Sequence, residues 1–243
     1  MRRGAIGWEF RALWTGQLLS AVGSGMSAFA LGIHVYTTTG TVTAVSQVLL
    51  SILVPGLLLK PLGGLLADRL DRRALMAAAD IGGAVAMLLV LGVLSRPAPP
   101  YTLLLAFVAL GSACSAIREP AYKASVSDLV LPDGYGRAAG LVQLSSASRH
   151  FLGPLGAGLL LGVAPLQTVI AMDIASFLIA AMITISVATA GTEAVPADVS
   201  ADGAAGGQPG AGSALGHGRR RDLIWIAAVL TLATTAAGVV QTL

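Results

Sequence analysis

The sequence predicts an all-α membrane protein: a bundle of six transmembrane helices plus the start of a seventh. Three observations carry this reading. Hydrophobic residues make up 55% of the 243 residues, charged residues only 11%, and the mean hydropathy is +0.80. A soluble domain carries about 25% charged residues. Long apolar stretches recur, each near the roughly 20 helical residues needed to cross a hydrocarbon core about 30 Å thick. Between two of them sits a dense charged turn, Gly63 to Arg73, with three arginines and two aspartates. Helices alone fit such spans, because an open strand edge leaves backbone groups unsatisfied in lipid.

The elements follow in order. The first apolar segment, Leu13–Tyr36, comes after Arg2 and Arg3 and so has the look of a signal peptide. Its apolar stretch far exceeds the 7–15 residues of a signal core, and more spans follow, so it reads as an uncleaved first span. Val42–Leu66 and Ala74–Leu94 flank the charged turn. Tyr101–Tyr122 begins after the Pro97–Pro100 turn. Gly136–Val163 contains Pro154 among Gly153, Gly156 and Gly158, and Leu166–Thr189 completes six spans. A proline removes one backbone hydrogen bond and glycines permit close approach, so span five is expected to bend, loosen or pack tightly there.

The composition then changes. Between Gly191 and Gly218 the only large apolar residues are Val195, Val199 and Leu215. Such a stretch buries too little surface to offset ordering and reads as a flexible cytoplasmic linker. The expected organisation is therefore 1–190 as a six-span unit, 191–222 as linker and 223–243 as one more span. That lone span reads as the first of a second half that the chain lacks.

Charge sets the expected orientation. Arg2, Arg3, Arg11, Arg69, Arg72, Arg73, Lys123, Arg137 and Arg219 to Arg221 all fall on one side if the helices alternate, and Arg96 falls on the other. The basic side is the cytoplasm, with the N-terminus inside, and the expected location is the inner (plasma) membrane. The same distribution explains the net charge of +3 without nucleic acid. Cys114 is the only cysteine, so an intrachain disulfide is excluded. No Gly-rich loop with Gly-Lys-Ser/Thr is present, so energy for any work must come from an ion gradient or a partner chain. No cofactor or metal is expected.

The turn Gly64-x3-Asp68-Arg69-x2-Arg72-Arg73 resembles the loop signature of the major facilitator superfamily, between its second and third spans. Other pieces resemble its drug-efflux branch of macrolide and siderophore exporters. They are Arg11-Ala12-Leu13-Trp14 with Gly16-Gln17, Pro120-Ala121-Tyr122, Gly153-Pro154-Leu155-Gly156-Ala157-Gly158, and Asp173-Ile174-Ala175-Ser176-Phe177. The resemblance covers nearly all of residues 8 to 190, in the family's order. The family's signature usually has glycine where Asp71 stands, although aspartate is familiar in this branch. It implies an N-terminal half of a twelve-span fold, a turn that latches the two halves in one gating state, and a span-five motif that limits leakage. It also implies that Asp68 finds its contact in a second half. The alternative is that the turn arginines only set topology.

Intramembrane charges are the remaining candidates. Arg149 lies about 18 Å beyond Arg137 and Asp173 about 10 Å beyond Leu166, so the two reach similar depths on antiparallel spans. They are expected to form a structural pair or to handle substrate or protons. Lys60 and Asp80 also reach similar depths and could pair, or Lys60 could snorkel. Arg118 and Glu119 are placed at the cytoplasmic interface of span four. His34 reads as an interfacial histidine, with pH sensing as the alternative. Gly16, Ser20, Gly23 and Ser27 share one helical face, for close packing or cavity lining. The face open to a missing half is expected to carry Ser20, Ser115 and Arg149.

The function expected is secondary active efflux of a small molecule, such as a drug, macrolide or siderophore, coupled to protons. The partners are that substrate, the lipid bilayer, possible protons, and a C-terminal half or second chain. The alternative is a truncated non-transporting membrane protein or a half-transporter. An intramembrane enzyme built on Ser24 and His150 is the outsider, since isolated Ser and His residues occur in any polytopic chain.

Overall fold

The computed structural model describes residues 7–192, with side chains to 189. The last described helix takes in the first two residues of the expected 191–222 linker, and the rest of the linker, with Arg219 to Arg221, and the seventh segment lie outside the described residues. Six long helices follow one another: α1 (Trp8–Thr39), α2 (Val42–Arg69), α3 (Arg72–Leu94), α4 (Tyr101–Leu129), α5 (Tyr135–Leu161) and α6 (Leu166–Thr192). A 3-10 turn, Pro132–Gly134, joins α4 to α5. Local chemistry explains the boundaries. Gly40, at φ +67°, ends α1 in the left-handed conformation that glycine adopts without a Cβ penalty, and its N–H donates to the Tyr36 carbonyl. Asp71 caps α3, its carboxylate accepting from the Ala74 amide at 2.8 Å.

The helices pack in the order α5–α1–α6–α3–α4–α2, and α2 closes back onto α1. Two apolar cores form, one at each end. The first gathers Leu31, Val35, Val48, Val90, Val93 and Ile170 near the α1–α2 turn. The second gathers Phe10, Leu13, Met76, Ala121, Val126 and Val187 near the α2–α3 turn. Between them lies a buried polar layer of Gln17, Ser20, Ser24, Asp80, Arg118, Asp173 and Ser176.

Three hydrogen bonds tie two of the neighbouring pairs. The indole of Trp14 donates to the Leu141 carbonyl at 2.7 Å, joining α1 to α5. The Tyr101 hydroxyl donates to the Ala44 carbonyl at 2.7 Å, joining α4 to α2. The Ser112 hydroxyl donates to the Ile52 carbonyl midway along the same pair.

Five helices, α1, α2, α3, α4 and α6, are long and apolar enough to cross a membrane. α5 is as long but carries Gln143, Ser145, Ser146, Ser148, Arg149 and His150 in its middle. Ser145, Ser146, Arg149 and His150 line a cavity, and this polar set lowers the hydropathy of the helix. With these helices the chain is a multi-pass membrane protein and an all-α bundle, as the composition requires. α5 runs as one unbroken helix through Pro154.

The exposed surface differs from expectation in one respect. Ser20 is fully buried, against an expected place on the open face. The outward faces of α2 and α5 are apolar instead, with Leu53, Leu57, Leu58, Phe151, Leu155 and Leu159 exposed. The small residues of α1 point the other way. Gly16 and Gly23 lie against α6, where an added Cβ at Gly23 would meet the Ser176 hydroxyl at 2.6 Å. The glycines of that face pack against α6, while Ser27 lines a small pocket.

Candidate functional site

A cavity of about 400 Å³ opens between α1, α2, α4 and α5. Part of its lining is apolar, Ile52, Leu53 and Leu57 of α2 with Val142 of α5. The polar lining comes from α1, α4 and α5, with Gln17, Ser112, Ser115, Arg118, Glu119, Tyr122, Lys123, Ser145, Arg149 and His150. Lys60 stands at its edge, its side chain 51% exposed. A smaller pocket, lined by Ser24, Ser27, Arg149, Asp173 and Phe177, continues from it, with Arg149 common to both. Mixed apolar and polar walls are what small-molecule sites use, the first for affinity and the second for orientation.

Two glycine crossings shape this space. An added Cβ at Gly63 would come within 2.9 Å of the Ala116 carbonyl oxygen, so α2 and α4 touch backbone to backbone there. At Gly153 it would lie 2.7 Å from the backbone of Gly25, and at Gly25 it would strike the Arg149 carbonyl. Within the span-five motif, then, Gly153 makes the helix contact. Gly156 faces Met26, whose sulfur lies 3.3 Å from a built Cβ. Gly158 meets nothing within 4 Å.

Asp80 and Arg118 form the most buried charge pair among the described residues. Their side chains are 0% and 8% exposed, and the contact is 2.8 Å. Arg118 also donates to the Ser20 hydroxyl at 2.7 Å, and Gln17 donates to the other Asp80 oxygen at 3.2 Å. The guanidinium lies 5.5 Å from the Phe177 ring centroid, a cation–π distance. Both charges are thus paired, and the remaining hydrogen-bond sites are partly filled by neutral groups, as low-dielectric burial requires.

This arrangement corrects two expectations. Arg118 is a buried cavity-wall residue, not an interfacial one, because α4 continues past Tyr122 to Leu129. Those seven added residues lengthen the helix by about 10 Å and carry Arg118 inward. Lys60 does not meet Asp80. It pairs with Glu119 at 2.9 Å, and Lys123 shares the same carboxylate at 2.7 Å.

Asp173 and Arg149 are brought near one another but not into an ion pair. Both line the smaller pocket, yet no contact within 4 Å joins them. The buried Asp173 carboxylate takes weak contacts from the Ser24 and Ser176 hydroxyls at 3.4 Å. Arg149 makes no ion pair within 4 Å among the described residues, and it lines both the cavity and the smaller pocket. Two buried hydroxyls, Ser27 Oγ and Tyr122 Oη, have no hydrogen-bond partner among the described residues. Ser27 lines the smaller pocket and Tyr122 the larger. The Tyr122 signal was present in the sequence, in Pro120-Ala121-Tyr122, but as a helix end rather than as a buried hydroxyl without a partner.

The charged turn lies at the far end of the bundle. Arg72 donates to both Asp128 oxygens, at 2.7 and 2.8 Å, and to the Ala124 carbonyl at 3.2 Å. Arg73 donates to the Val187 carbonyl at 2.8 Å. These contacts tie the start of α3 to the ends of α4 and α6. Asp68 and Arg69 are exposed, and neither makes an ion pair or side-chain hydrogen bond among the described residues. Gly64 meets nothing within 4 Å.

Known proteins can now be set beside this geometry. Macrolide efflux protein A of Streptococcus pyogenes is 27% identical to the chain over 174 residues. The protein of the same name from serotype M6 of that organism matches equally. The match takes in 72% of this chain and 43% of each relative. The chain therefore spans less than half the length of the curated relatives it matches. The family model for the Major Facilitator Superfamily matches residues 13–243. Since that match takes in nearly the whole chain, the chain belongs to the major facilitator superfamily.

Proposed function

We propose that the chain supplies the N-terminal six-span half of a secondary active efflux transporter for a small molecule such as a drug, macrolide or siderophore. The observation that carries this is the cavity, a polar recess with charged walls sunk between α1, α2, α4 and α5 of a membrane bundle. Polar groups at membrane depth are costly and concentrate on transport pathways. Membership of the family and the efflux relatives support the direction.

In this reading the N-terminus is cytoplasmic, the protein sits in the inner membrane, and efflux is proton-coupled. Gly64, Asp68 and Arg69 remain unengaged on the bundle's surface, available to a second bundle, while Arg72 and Arg73 brace the turn from within. The half-transporter form of the reading draws on the exposed leucines of α2 and α5, which a second bundle would cover. The test is efflux from cells expressing the chain with a matching C-terminal half as a separate polypeptide. Efflux should need both chains and collapse with the proton gradient. Efflux by the purified chain alone in proteoliposomes would contradict the half-transporter form. No efflux when both folded chains are present would contradict transport itself.

A further inference from the structure

The charges on the cavity walls are unbalanced. Arg118, Lys60, Lys123 and Arg149 face it with a single carboxylate, Glu119. Arg118 is neutralised from behind by Asp80. Glu119 is shared by Lys60 and Lys123 and so offsets one of them. Asp173 lines the adjoining pocket, where one of its oxygens, Oδ1, takes the Ser24 and Ser176 hydroxyls at 3.4 Å, and it makes no ion pair with Arg149. Arg149 lines the cavity without an ion pair among the described residues. The Tyr122 hydroxyl is a buried donor, and its residue lines the same cavity and is 6% exposed. Arginine's planar fork matches a carboxylate, and a buried hydroxyl without a partner is costly until an acceptor reaches it.

We propose that this cavity binds a small organic anion, a carboxylate on an apolar body, with Arg149 and Tyr122 as its donors and the Lys60–Glu119–Lys123 group attracting it. The apolar wall of Ile52, Leu53 and Leu57 seats the body. The assignment rests on the transporter reading and narrows its substrate class. It sets an amine-bearing drug, which the cationic wall repels, behind an acidic one.

The test uses two probes with the same ring and opposite charge, 1-naphthoate and 1-naphthylmethylammonium. Binding is measured by equilibrium dialysis on the full chain in nanodiscs of zwitterionic lipid, with empty discs as the blank. Naphthoate should bind saturably, and the cation should bind no better than to empty discs. Arg149→Gln should weaken naphthoate about tenfold, the scale of one charge-assisted hydrogen bond, and Arg149→Lys should restore part of it. Tyr122→Phe, which keeps the packing and removes one donor, should weaken it about threefold. That second variant keeps the test decisive where Arg149→Gln fails to fold. Saturable binding of the cation in place of naphthoate would overturn the anionic assignment and leave the transporter reading standing. So would naphthoate affinity unchanged in both variants, or no naphthoate binding by the folded chain. Transport itself is judged separately, by the efflux assay.

Discussion

The buried polar layer holds two acid–base sets that differ in one respect. On α3 and α4, Asp80 and Arg118 are in contact at 2.8 Å, with Asp80 fully buried and Arg118 nearly so. On α5 and α6, Asp173 and Arg149 share a pocket without an ion pair. The first set is complete within the bundle, so its energy goes into holding helices together. The second is incomplete, so its arginine remains available to something that enters the cavity. Two pairs with similar composition thus play different parts, and what separates them is whether the oxygens and guanidinium reach each other.

Breaking the closed set should have the largest effect. Asp80→Asn leaves Arg118 buried without its counter-ion, and removing one partner of a buried pair costs about 3–5 kcal/mol. Folded yield and thermal stability in mild detergent should both fall sharply. The next largest effect belongs to the crossing beside the open set. Gly153→Val forces a side chain into the Gly25 backbone, an overpacking worth about 1–3 kcal/mol. Gly158→Val, with nothing within 4 Å, is the matched control and should leave the melting temperature unchanged.

Arg149→Gln should then cost about 1 kcal/mol or less in stability, because it removes no ion pair and Asp173 keeps its serine contacts. A melting temperature that drops as far as for Asp80→Asn would erase the distinction between the sets. Smallest of all is Arg72→Ala, which removes a partly exposed pair with Asp128 worth about 0.2–1 kcal/mol. The same thermal measurement in high salt should show that difference shrinking further.

The comparison also shows what a sequence can and cannot convey. The six spans were legible from hydropathy and the turns between them, because length and apolarity are properties of one segment at a time. Asp71 and the arginines around it stood out for the same reason, although its capping bond to Ala74 needed coordinates. Which charges meet was not legible. Depth along a span follows from residue number at 1.5 Å per residue, but the direction a side chain faces depends on which neighbour its helix packs against. Lys60 and Asp80 reach similar depths, yet α2 packs on α4, so Lys60 finds Glu119. Arg149 and Asp173 also match in depth, yet α5 packs on α1 and barely touches α6. Arg118 was misplaced for a simpler reason: α4 outlasts its apolar stretch, and its last turns, with Lys123, Ser125, Ser127 and Asp128, look polar in sequence.

Two double-mutant cycles, run side by side, test the difference between the sets most directly. One pairs Asp80→Asn with Arg118→Gln, the other Asp173→Asn with Arg149→Gln, each read as unfolding free energy of the chain in detergent. Contacting residues show coupling of about 0.5–3 kcal/mol, and separate ones add to within about 0.3–0.5 kcal/mol. The account predicts strong coupling in the first cycle, with the double variant more stable than the sum of its single changes allows, and additivity in the second. Additivity between Asp80 and Arg118, or equal coupling in both cycles, would contradict it.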